Sequence, residues 1–255
     1  MKAKKNLGQN FLTRDHYAII MAEKAMVGQK DTVLEIGPGK GILTAILLKK
    51  AGHVIAVEKD PELVVFLKER FANEIKKQKL TLVSGDIFTY HLPPITYKLI
   101  ANIPYYITGE IIRHFLSNDK QPQSLTLMVQ KEVAERIVAR NKKESLLSLS
   151  VKAYGEPEIV ARVSAGNFFP KPKVDSAIIH IAGISKNFFK KIDEKKFFEI
   201  IHVGFAHKRK MLLPNLSSFG KEKMEKIFDE LHISKKVRAE DLTPQNWREL
   251  TQMLY

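Results

Sequence analysis

The stretch Thr32–Asp60, TVLEIGPGKGILTAILLKKAGHVIAVEKD, decides the fold. An apolar run, Thr32–Gly37, gives way to glycines at 37, 39 and 41. A stretch with helical spacing, Ile42–Ala51, follows, and a second apolar run, His53–Glu58, closes the unit. Both runs are short, continuous and bounded by turn residues, which suits strands covered on both faces. Two such strands joined through a helix make a βαβ unit, whose strands lie parallel in a buried sheet. Glycines between strand and helix let the backbone turn sharply and approach a ligand, while the helix start offers unpaired N–H groups. The alternate spacing departs from the G-x-G-x-x-G of dinucleotide folds and argues against a nicotinamide dehydrogenase.

The alternation continues outward. Leu80–Gly85, Tyr97–Asn102 and Ser124–Gln130 read as further strands, with helical spacing over 61–75 and 109–117 between them. Residues 131–155 read as helical, and EIVARVS and SAIIHIA as two closing strands. The composition shifts near Gly183, after which the chain is Lys-rich, helical in pattern and without a strand signal. The expectation is an α/β domain over residues 1–184, Rossmann-like with a mostly parallel sheet, and a small helical domain over 185–255.

At 255 residues with 44% apolar content the chain supports a sizeable core, and at 27% charge it is not disordered throughout. The absence of cysteine removes disulfides and thiolate chemistry and suits a reducing compartment. A net charge of +14 favours a polyanionic partner, nucleic acid above a membrane surface. The first residues carry lysines with no apolar h-region behind them and so do not read as a signal peptide. No apolar stretch approaches a membrane span, and a cytoplasmic protein is expected. No His, Asp or Glu spacing suggests a metal site. His91, His114 and His180 read as surface or core residues.

Ligands of open α/β sheets bind outside the carboxyl ends of the strands. There the sequence places the Gly37–Gly41 loop, Glu58, Asp86 and Asn102. Glu58 suits a ribose, because a carboxylate accepts both hydroxyl hydrogens; Asp86 is placed to contact an adenine ring. Asn102 is followed by Ile103, Pro104 and Tyr105, and Pro104 ends the strand. The exocyclic amine of adenine is a poor nucleophile until acceptors hold its hydrogens. An Asn carbonyl and a backbone carbonyl freed by Pro104 are such acceptors, and Tyr105 supplies a ring on which the base stacks.

In this order the motifs resemble the S-adenosylmethionine-dependent ribosomal RNA adenine dimethyltransferases. The similarity runs almost end to end: LGQNFL (Leu7–Leu12), EIGPGKG, VEKD, GDI, NIPYY, VQKEVAERI, FFPKPKVDSA and HKRKML. The resemblance implies a methyl-donor site lined by Asn10, Leu12, Gly37, Glu58, Asp86 and Asn102. It also implies a catalytic motif of Asn102, Pro104 and Tyr105, with Phe169 as a second aromatic beside the target adenine. S-adenosylmethionine would be the donor and ribosomal RNA, within a small subunit or its precursor, the partner of a monomeric enzyme. VQKEVAERI, VDSA and HKRKML are similar to the small-subunit branch. Ile103, where that branch more often has Leu, and the glycine-free loop ARNKKESL (Ala139–Leu146) depart from it.

Two rival functions stay open: a large-subunit methylase conferring macrolide resistance, and a non-catalytic RNA-binding assembly factor that kept the fold. Lys208, Arg209 and Lys210, read as part of a helix, are expected to contact RNA phosphates.

Overall fold

The structure is a computed structural model that describes Lys4 and residues 8–255; Leu7 of LGQNFL and most of the lysine-bearing start lie outside the described residues. The elements in chain order are β1 (Phe11–Leu12), α1 (His16–Lys24), β2 (Thr32–Ile36), α2 (Ile42–Lys50), β3 (His53–Glu58), α3 (Pro61–Arg70), α4 (Ala72–Lys76), β4 (Leu80–Ser84), β5 (Lys98–Asn102), α5 (Thr108–Ser117) and β6 (Leu125–Gln130). There follow α6 (Lys131–Ile137), α7 (Leu146–Lys152), β7 (Glu156–Val163), β8 (Phe168–Phe169), β9 (Ser176–Ala182), α8 (Glu194–Gly204), α9 (Leu212–Asn215), α10 (Lys221–Glu230) and α11 (Pro244–Leu254).

The chain forms two compact units. The first runs to Ala134 and resumes over Glu156–Ile184. Its seven-stranded sheet has the order β4-β3-β2-β5-β6-β9-β7, with the first five strands parallel, β9 antiparallel to β6, and β7 antiparallel to β9. Burial explains the apolar runs: Val33, Leu34, Val54, Leu99, Ile100 and Leu127 on successive strands are fully covered or nearly so. Asp60 caps α3 by accepting from the Glu62 N–H, and Pro61 occupies the first helical turn, where no donor is needed. The helix expected over 61–75 is interrupted at Phe71, which separates α3 from α4.

The second unit comprises Glu135–Gly155 and Ser185–Tyr255. A boundary at 184 therefore describes only part of the division, because the segment expected to continue the first domain belongs to the second unit. Aromatic packing is the reason. Tyr154 lies against the rings of Phe189 and Phe198 at 5.1 and 6.2 Å, its hydroxyl donates to Glu194, and its carbonyl accepts from the Ser185 N–H. Residues 131–155 form two helices, with Ala139 and Lys142 at positive φ between them and a Ser145–Ser148 capping box starting α7. Trp247 of α11 is fully buried, with Phe205 at 5.9 Å. No strand occurs in this unit among the described residues.

The expected helix through Lys208–Lys210 is not formed. α8 ends at Gly204, and 205–210 is a succession of turns. Asn215 holds this segment by donating to the carbonyls of Gly204 and His207, and all three basic residues are exposed. No helix among the described residues is long and apolar enough to cross a membrane.

Candidate active site

The carboxyl ends of β2, β3 and β5 open on a cavity of about 370 Å³, all of it within the first unit. Asn10, Leu12, Gly37, Glu58, Asp86, Asn102, Pro104 and Tyr105 line it together. The glycine loop is tied to the next strand by the Gly37 N–H, which donates to the Val57 carbonyl at 2.9 Å. Gly37 has φ +62°, and a Cβ there would meet nothing within 4 Å, so its backbone borders open cavity space. Gly41, at φ +76°, begins α2 where a Cβ would lie 2.6 Å from the Phe71 ring. A side chain at 41 would push the loop off the helix that supports it.

Glu58 is 6% exposed. Its Oε1 accepts from the Asp60 N–H at 2.9 Å and its Oε2 from the Gly39 N–H at 3.1 Å, so each oxygen keeps a lone pair for a ligand. Burial raises its pKa, opposed by those N–H groups, and the charge of Asp60 raises it further. Asp86 stands beside it because the Gly85 N–H donates to the Glu58 carbonyl. Lys59 Nζ lies 2.8 Å from Asp86 Oδ2, and this bond, with a second from the Phe88 N–H, holds the carboxyl below its ordinary pKa.

Asn102 donates its Nδ2 to the carbonyl of Asn10 at 3.3 Å. An amide that donates through nitrogen presents Oδ1 as an acceptor, the atom an amine needs. Pro104 leads into a short 3-10 turn, Tyr105–Ile107, and its carbonyl accepts from the Ile107 N–H. The half-buried Tyr105 ring is pinned by a 2.6 Å hydrogen bond between its hydroxyl and Ser176 Oγ, at the start of β9. Burial raises the Tyr105 pKa, so the hydroxyl stays protonated at neutral pH.

Phe169 is not part of the cavity wall. It is 64% exposed on β8, which pairs antiparallel with β1 so that Phe169 faces Phe11, a wall residue. Lys208, Arg209 and Lys210 belong to the second unit. Sequence reading missed Gln9, Lys59, Asp60 and Ser176. The signal was present in LGQNFL, VEKD and VDSA, but these side chains bond to residues dozens of positions away.

The donor set fits S-adenosylmethionine: a glycine cradle, a buried acid whose oxygens retain lone pairs, and a second carboxylate beside it. The sheet order, the antiparallel edge and this cavity place the protein among the class I S-adenosylmethionine-dependent methyltransferases. The chain belongs to the ribosomal RNA adenine dimethylase family, whose model matches residues 1–255. It is 39% identical over 258 residues to "Ribosomal RNA small subunit methyltransferase A" of Dehalococcoides mccartyi, covering 98% of this chain and 88% of that one. Its structure is similar to that of a dimethyladenosine transferase from Plasmodium falciparum, with TM-score 0.83, 25% identity and coverage of 94% and 95%. The 23S rRNA methyltransferase ErmE is similar at TM-score 0.79 and 25% identity, with coverage of 96% and 99%.

Proposed function

We propose that the protein transfers methyl groups from S-adenosylmethionine to N6 of neighbouring adenines in small-subunit ribosomal RNA, giving N6,N6-dimethyladenine during ribosome biogenesis. The observation that carries the chemistry is the Asn102 amide, held through its nitrogen so that Oδ1 offers an acceptor to the cavity. The 39% identity to a small-subunit methyltransferase over 98% of this chain supports the choice of branch. Ile103 is a conservative departure: it is buried at 2% exposure, and an exchange of Leu and Ile changes neither volume nor polarity much.

Bound S-adenosylmethionine supplies an electrophilic methyl on a sulfonium. Glu58 would accept from the ribose hydroxyls and Asp86 from the donor adenine's amine, and the Gly37–Gly41 backbone would pack along the ligand. Asn102 Oδ1 and a backbone carbonyl beside Pro104 would accept the hydrogens of the target amine. This would direct the nitrogen lone pair toward the methyl: as the N–C bond forms the methyl–sulfur bond breaks, the neutral thioether S-adenosylhomocysteine is the leaving group, and the amine's extra proton goes to water. Tyr105 stacks on the target base and Phe169 closes over it. Proximity and orientation supply most of the acceleration. In the second unit, Lys208, Arg209 and Lys210 contact RNA phosphates. The enzyme works as a cytoplasmic monomer on a small subunit or its precursor.

The test offers unmodified small- and large-subunit RNA in parallel with labelled donor and maps the product. Adjacent dimethyladenines in the small-subunit RNA are expected. Methylation confined to large-subunit RNA moves the protein to the other branch, and no methylation of either leaves an assembly factor.

A further inference from the structure

We propose that Asp60 is a positioning residue: through Gln9 it latches the strap Gly8–Leu12 over the cavity, and the strap's Asn10 carbonyl orients the Asn102 amide. This rests on the methyl-transfer reading of the cavity and adds two residues to it. Asp60 is 2% exposed and accepts three hydrogen bonds. Its Oδ1 accepts from Lys4 Nζ at 2.8 Å and from the Glu62 N–H at 3.1 Å, and its Oδ2 accepts from Gln9 Nε2 at 2.9 Å. Its own N–H donates to Glu58 at 2.9 Å. Capping α3 needs one acceptor, which Ser, Thr or Asn supplies as well. The second oxygen serves the strap.

Residues 8–10 form no helix or strand, so the strap depends on a few ties. Its far end is fixed by β1–β8 pairing at Phe11 and Leu12. Its near end is held by Gln9 and Lys4 on Asp60, with Lys4 also reaching Glu62 at 2.9 Å. Between them the Asn10 carbonyl accepts from Asn102 Nδ2. If the near end swings out, Asn102 loses the carbonyl that fixes its rotamer. A rotated amide presents N–H groups to an amine that needs an acceptor. Burial disfavours the Asp60 charge, but the bonds from Lys4, Gln9 and the Glu62 N–H outweigh it and hold its pKa below the ordinary value, so the latch is anionic at neutral pH.

Gln9→Ala cuts the tether and leaves the α3 cap intact; Gln9→Lys restores a donor to Asp60. In the 15N-labelled full chain, the side-chain amide signal of Asn102, assigned by its loss in Asn102→Ala, is expected to collapse toward a mobile amide in Gln9→Ala and return in Gln9→Lys. With saturating donor, kcat on small-subunit RNA falls about tenfold in Gln9→Ala, the scale of one lost hydrogen bond to a charged group, while KM for RNA holds. Gln9→Lys recovers most of it. An unchanged Asn102 signal and kcat in a folded Gln9→Ala protein overturns the latch, as does a loss that Gln9→Lys fails to rescue. A wild-type protein that binds no S-adenosylmethionine overturns the methyl-transfer reading itself, an outcome separate from either.

Discussion

Replacing Glu58 by Ala tests the proposed contact with the donor's ribose. The carboxylate is buried and already accepts the Asp60 and Gly39 N–H groups, one on each oxygen, so its position is set before any ligand arrives. On the proposed reading, the lone pairs that remain would accept from the two ribose hydroxyls. Hydrogen bonds to a charged group each contribute about 1.5 to 3 kcal/mol net. Water entering the truncated site satisfies part of what is lost, which brings the expected change to about 1 to 3 kcal/mol. That is about 5- to 150-fold in the dissociation constant of S-adenosylmethionine. Glu58→Gln keeps the shape and one acceptor oxygen and is expected at the low end of that range. Calorimetric titration of the folded variants without RNA reads the change directly. Burial raises the Glu58 pKa, so donor affinity in the wild type is expected to weaken with falling pH before the ordinary carboxylate range is reached. Unchanged affinity in a folded Glu58→Ala protein would refute the assignment of the ribose to this residue.

Neutralising Lys208, Arg209 and Lys210 together is expected to weaken RNA binding and to flatten the slope of log affinity against log salt by about 0.7 to 0.9 for each phosphate no longer neutralised; an unchanged slope means the turn faces only solvent. Ser176→Ala removes the hydroxyl that pins Tyr105 and is expected to lower kcat on RNA without changing donor affinity. Tyr105→Phe added to Ser176→Ala should do little more, because the two groups share one hydrogen bond; full additivity counts against the pinning role. Glu35 is 1% exposed, and burial, opposed by Thr44 and reinforced by the Glu58 charge, raises its pKa from 4.5 to about 8. Between those values the folded protein keeps a proton that the unfolded chain has released, so stability falls as pH rises from 4.5 to about 8. A tenfold difference in proton affinity between the two states is worth about 1.4 kcal/mol. Denaturant titrations of Glu35→Gln should show a smaller decline over that window than the wild type, and parallel curves would refute the raised pKa.

Much of the candidate site was legible in the chain because its parts sit at repeating local positions. Gly37–Gly41, Glu58 and Asn102 each follow or end a run whose apolar character records burial on both faces, Asp86 follows the partly exposed edge strand β4, and a parallel sheet sends all these ends to one edge. The NIPY segment announced a strand end through Pro104 and a polar group through Asn102. Composition alone put a polyanion first among partners.

Tertiary structure decided what depends on pairing across long sequence separations. The excursion Glu135–Gly155 joins the second unit because Tyr154 finds Phe189, Phe198 and Glu194, and no local period in the helical pattern records which side of a boundary a helix packs on. Lys208–Lys210 reads as helical, yet the chain turns there, with the Asn215 amide donating to the Gly204 and His207 carbonyls. Gln9 and Asp60, like Tyr105 and Ser176, are ordinary polar residues in sequence. They acquire roles only when folding places donor and acceptor within hydrogen-bond reach. Periodicity reports how deeply a residue is buried, whereas the partner of a buried polar group is set by the path of the whole chain.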